Sequence, residues 1–203
     1  MKTARMLAGI PALNAGLYRR IRFLVGDPVA LIEVAHGSAS VESTLILRDI
    51  EMQRARASAN ATNIACPADF APLAGLSGDR ETATAQSAAE FVRRTGCEEV
   101  IVDRSMPMIY VEMLHRAGLS VRCDTEWGLL ERRRKDETEI ASLRFAQQQT
   151  EEVMKIACQT VARAHADNDG ILMSDGRPLT SERMQLMIDV WLLERGFSNP
   201  MSI

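Results

Sequence analysis

The chain holds 203 residues with a net charge of −3, and 46% of them are apolar, enough to bury a core of one large domain or of a small domain plus a further unit. That charge gives no general attraction to phosphate backbones or anionic lipid, so nucleic acid and membrane surfaces are excluded as general partners. No stretch reaches the ~18 consecutive apolar residues of a membrane span.

The opening "MKTARMLAGIPALNAG" carries Lys2 and Arg5 before a mildly apolar run, but Pro11 and Asn14 interrupt it, which argues against a secretory leader. Asn14 caps a helix through Tyr18, Ile21 and Phe23 that Gly26-Asp27-Pro28 ends. Val29 to His36 and Ser43 to Asp49 read as two strands joined by a Gly/Ser loop, an antiparallel hairpin. "IEMQRARASAN" is helical, "TNIACP" is a short strand and residues 67–78 form a loop. A helix over Arg80 to Thr95, a strand over Glu98 to Asp103, a helix over Met108 to Ala117 and a strand in "LSVRCD" follow. Strand–helix–strand units with short connections imply parallel pairing, so residues 1–125 read as an α/β domain whose mixed sheet carries the hairpin at one side.

Residues 126–135, "EWGLLERRRK", read as a solvated connector, and a second unit occupies 136–203. Asp136 and Glu139 have capping-box spacing at the head of a helix of roughly 28 residues. "HADNDGILMSDGRP" reads as a polar loop, and Thr180 caps the last helix. There Met184, Met187, Ile188, Trp191 and Leu192 form one apolar stripe, and Leu186, Val190 and Leu193 widen it beyond what a surface helix needs. This helix expects neighbours on more than one side. Pro200, Met201 and Ile203 read as the approach to a further strand.

Chemistry-bearing motifs are scarce. Cys66, Cys97, Cys123 and Cys158 lie 31, 26 and 35 residues apart, without zinc-site spacing, and read as reduced core thiols of a cytoplasmic protein. "GLSGDRETATA" lacks the Gly-Lys-Ser/Thr of a phosphate loop and leaves a helix start at which Arg80 could meet a small anion, with Ser77 or Asp79 as the competing cap. "HADNDG" fails the calcium-loop pattern, because Gly176 stands where a bidentate Glu is required. No HExxH or GxSxG occurs, and no catalytic residue is assigned.

The order of parts and the junction "LERRRKDETEIASLRF" resemble the creatinase/prolidase/Xaa-Pro aminopeptidase family. Arg134, Lys135, Glu137, Glu139, Ile140 and Arg144 follow that family's junction, and Thr180, Glu182 and Gly196 follow its next helix. The resemblance implies a creatinase-like N-terminal α/β domain followed by the first two helices of an incomplete pita-bread α+β domain. For a full-length member it implies Xaa-Pro peptidase activity on a peptide substrate, or a creatine-like substrate in creatinase-like members. It also implies a homo-oligomer, often a dimer, and two divalent metal ions such as Mn or Co held by two Asp, one His and two Glu. Those ligands follow the helix that ends near Gly196, so none is assigned here, and Asp167, Asp169 and Asp175 are not promoted to that role. By analogy with the family's N-terminal domain, His36, Arg48, Asp79 and Arg80 would face substrate in a neighbouring site. A non-enzymatic oligomerisation module and a small-anion-binding α/β domain stand as alternatives.

Overall fold

The computed structural model describes residues 2–36 and 40–198. The chain divides into two compact units, 1–134 and 135–203.

The first unit is built on a six-stranded mixed sheet in the order β4-β3-β2-β1-β5-β6. Its strands are β1 (Thr3–Gly9), β2 (Val29–His36), β3 (Ser40–Ile46), β4 (Asn63–Ala65), β5 (Glu99–Asp103) and β6 (Ser120–Asp124). β1–β2 and β2–β3 pair antiparallel, whereas β3–β4, β1–β5 and β5–β6 pair parallel. The hairpin expected from the sequence is present as β2–β3. β1 was not expected: the "TARMLAG" run occupies the middle of the sheet, where Met6, Leu7 and Ala8 are buried on alternating faces while Arg5 stays exposed. β3 starts three residues earlier than the sequence implied and ends at Ile46, since Asp49–Glu51 turn into a 3-10 segment leading to α2 (Met52–Ser58).

Side chains alternate across the pleat and give the sheet two cores. On one face Ala4, Met6, Ala8, Ile32 and Val102 meet α3 (Arg80–Arg94) and α4 (Met108–Arg116) through Ala88, Val92, Tyr110 and Leu114. On the other face Leu7, Leu31 and Leu45 meet α1 (Ala15–Ile21) through Leu17 and Ile21, together with Phe23, Ala55 and Trp127. α3 can lie close to the sheet because its buried side is Thr84, Ala85, Ser87, Ala88 and Ala89. The segment read as a connector forms a short helix, α5 (Leu129–Arg133), tied to α1 by a hydrogen bond from the Arg19 guanidinium to the Glu131 carbonyl. All four cysteines are free. Cys97 alone is fully buried; Cys123 and Cys158 are exposed rather than core, Cys123 because β6 is an edge strand with little cover.

The second unit pairs a 27-residue helix, α6 (Glu137–Arg163), with α7 (Ser181–Glu194). The Asp136–Glu139 capping box forms, with both backbone–carboxylate bonds present, and the Thr180 hydroxyl accepts from the Arg183 amide. The "HADNDGILMSDGRP" segment is not a loop but a small antiparallel sheet of β7 (His165–Ala166), β8 (Leu172–Ser174) and β9 (Arg177–Pro178). Asp175 and Gly176 both take positive φ, 51° and 70°, the two-residue turn that joins twisted strands. No described helix is long and apolar enough to cross a membrane.

Candidate functional site

Three of the four substrate-facing candidates meet at one end of the sheet. Asp27 precedes β2 and receives Arg48 Nη1 at 2.9 Å on one carboxylate oxygen and Arg80 Nη1 at 3.1 Å on the other. The hydrogen bond from Arg48, with Arg80 adding to it, holds the Asp27 carboxyl below the usual carboxylate range and raises the Arg48 guanidinium in return. Asp79 caps α3 by accepting from the Thr82 amide at 2.8 Å and from its hydroxyl at 2.6 Å, which lowers its carboxyl as well. The helix start proposed for a small anion is therefore occupied by its own carboxylate, and the nearby guanidinium is already paired with Asp27. His36 closes β2 at the opposite end of the sheet, a rise of roughly 23 Å along the strand. Its side chain lies outside the described residues, as do Pro200, Met201 and Ile203.

A second constellation, which the sequence reading missed, lies where β1 and β5 end. These two strands are adjacent and parallel, yet the helix after β1 covers one face and the helix after β5 covers the other. Chains that part in this way open a crevice at the carboxyl ends of the strands, the position at which open α/β sheets hold ligands. The crevice here is a cleft of about 440 Å³ between residues 13–16, residues 103–105 and the segment from Trp127 to Arg132.

A hydrogen-bond chain builds its floor. Asn14 Oδ1 accepts from the Gly16 and Leu17 amides, both at 3.1 Å, and its Nδ2 donates to Ser105 Oγ at 2.9 Å. Ser105 Oγ in turn donates to Asp103 Oδ2 at 2.5 Å. Asp103 points to the α1 face because it falls on the odd positions of β5, in phase with Ile101, and it is only 6% exposed. Its Oδ1 has no hydrogen-bond partner. Trp127, 7% exposed, is set in place by Asp124 Oδ1, which accepts from the Trp127 amide at 3.1 Å. The Arg5 guanidinium lies over its ring at 5.4 Å, and its Nε1 has no partner either. A buried donor or acceptor left unpaired costs about 1–3 kcal/mol, so two on residues that line one cleft are an unusual concentration. The sequence signal was available: Asp103 ends a buried strand and Ser105 lies two residues beyond it, where the carboxyl end of a parallel sheet is expected.

Among the described residues, no three His, Cys, Asp or Glu side chains converge as a metal site would require. The donors among the described residues do not fit a dinuclear metal centre.

No family model and no curated protein matches the sequence. Solved structures do match in fold. An Xaa-Pro dipeptidase from Bacillus anthracis superposes with a TM-score of 0.67 over 96% of this chain and 45% of its own, at 12% identity. An X-Pro aminopeptidase from Thermotoga maritima gives 0.66 over 95% and 47%, also at 12% identity. The prolidase from Pyrococcus horikoshii gives 0.62 over 96% and 45%, again at 12% identity. The architecture is thus that of the Xaa-Pro dipeptidases, prolidases and X-Pro aminopeptidases, in agreement with the resemblance carried by the junction sequence. At these identities the likeness is one of fold. The chain spans under half the length of each of these proteins.

Proposed function

We propose that this chain is the N-terminal part of an Xaa-Pro peptidase-like metallohydrolase. It would contribute the α/β domain and the opening helices of a pita-bread domain, while the metal ligands and the peptide-cleaving centre belong to the rest of that domain. The observation that carries the reading is the state of the second unit. Of residues 135–198, Val153 alone is a fully buried apolar side chain, although two long helices lie there. On α7 the stripe Met184, Met187, Ile188 and Trp191 is half-buried, and a second stripe, Leu186, Val190 and Leu193, is exposed. On α6 Leu143, Met154 and Val161 recur at multiples of the helical turn and are also exposed. Helices with apolar residues on two faces belong inside a larger core. Covering strands of a pita-bread domain would complete it, and the two divalent metals would be held there.

The test is the reading frame after residue 203. The proposal expects two Asp, one His and two Glu on successive strands within the next couple of hundred residues, and hydrolysis of an Xaa-Pro dipeptide by the full-length product with Mn²⁺. A continuous frame without those ligands overturns it. The same exposed stripes favour a second reading, a homo-oligomerisation module without enzymatic activity. Sedimentation of the 203-residue protein separates the two: a stable dimer that buries the α6 and α7 stripes supports the module, and a monomer binding a hydrophobic dye supports the peptidase fragment.

A further inference from the structure

We propose that the cleft between the ends of β1 and β5 binds a free α-amino acid with an aliphatic side chain, at a site built entirely from the first unit. The inference stands apart from the peptidase reading and does not depend on it.

Charge and hydrogen-bonding capacity define the ligand. Asp103 is a nine-tenths buried carboxylate with one oxygen held by Ser105 and the other unpartnered, so it calls for a donor and repels a simple anion. Trp127 also lines the cleft, and its buried, unpartnered Nε1 can only donate and calls for an acceptor. Arg104 lies on the rim, exposed and without an ion pair among the described residues, and it disfavours a simple cation. A molecule that satisfies all three carries an ammonium group at one end and a carboxylate at the other, a few bonds apart. Leu13, Leu129 and the Trp127 ring supply apolar wall for a side chain, and about 440 Å³ admits a single amino acid with room for water. Asp103 Oδ1 and Trp127 Nε1 are both shielded from solvent in this state. The χ2 torsion of an aspartate is soft, so a modest rotation presents Oδ1 to the cleft while Oδ2 stays bonded to Ser105. Asn14 is a positioning residue: it fixes Ser105, and through it Asp103, while stapling the β1 end to the β5 end.

The experiment titrates the 203-residue protein with L-leucine, with isovaleric acid, which lacks the ammonium group, and with isoamylamine, which lacks the carboxylate. Binding is read from the indole N–H resonance that Trp127→Phe removes, which distinguishes it from that of Trp191. Saturable millimolar binding of leucine is expected, with each truncated analogue weaker by about tenfold or more. Arg104→Ala and Asp103→Asn should each weaken leucine by a similar factor. No saturable response to leucine at tens of millimolar overturns the proposal. So does an analogue that binds as tightly as leucine, or unchanged binding by Arg104→Ala. Should Asp103→Asn fail to fold, the exposed Arg104 variant and the analogue pair still decide the matter.

Discussion

Two residues show how burial and pairing set stability in the first unit. Glu90 on α3 receives Arg93 at 2.8 Å on one oxygen and both Arg93 and Arg94 at 2.8 Å on the other. Those hydrogen bonds, Arg93 first, pull its carboxyl from an ordinary 4.5 to about 2. A carboxyl depressed in the folded state stabilises the fold above its unfolded pKa, and that contribution is lost as pH falls toward the folded value. The urea midpoint of the native protein should therefore drop between pH 4.5 and about 2 more steeply than that of Glu90→Gln, and parallel curves would show that the pair contributes nothing. Tyr110 presents the opposite case. Its ring fills the α3–α4 core, fully buried, while its hydroxyl has no partner, and burial pushes the phenol's pKa up. Tyr110→Phe removes an unpaired polar atom and keeps the ring, so it should leave stability unchanged or raise it, by up to about 1–3 kcal/mol. A lower melting temperature would mean that the hydroxyl has a partner such as a buried water.

At the scale of elements, the start of α6 isolates one local device. The Asp136 carboxylate accepts from the Glu139 amide at 2.8 Å, and Glu139 answers at 3.0 Å on the Asp136 amide. Asp136→Ala should cost about 1 kcal/mol in chemical unfolding of the chain and lower helical circular dichroism slightly; Asp136→Ser should recover most of the loss. Such caps were legible in the sequence, as at Asn14 and Thr180, because their signal is local and spans four residues. β1 was not legible, since "TARMLAG" looks the same whether it begins a leader or a central strand; only the pairing with β2 and β5 decides. The β8–β9 turn was legible in principle through Asp175-Gly176, but strands of three and two residues carry too little alternation to be seen. Asp27 explains the mixed outcome at the candidate site. The sequence singled out Arg48 and Arg80, and it is an aspartate from the Gly-Asp-Pro turn, read there only as a helix stop, that brings them together. The β1–β5 cleft depends on helices leaving neighbouring strands toward opposite faces, a property of topology that no residue pattern encodes.

At the scale of the whole molecule, the two units differ in how much of their apolar surface is buried, and this is open to direct measurement. Leu186 and Leu193 are 63% and 69% exposed on the outer stripe of α7. Leu186→Lys with Leu193→Lys should reduce hydrophobic-dye binding and self-association of the chain while shifting its unfolding by no more than about 0.5 kcal/mol, as for surface substitutions. A loss of several kcal/mol would place that stripe in a core instead. The position of β1 has a further consequence, in time rather than space. β1 is synthesised before both of its sheet neighbours yet sits in the middle of the sheet, with Thr3 paired to Glu99 and Met6 to Val102. During translation β1, β2 and β3 can assemble as an antiparallel meander as soon as they emerge, but one side of β1 stays open until residues 99–103 follow. At ~5–20 residues per second that interval lasts roughly 5–20 seconds, during which a central apolar strand is an exposed edge. A nascent chain stalled within α3 should accordingly be more prone to aggregation and to chaperone capture than one released past β6.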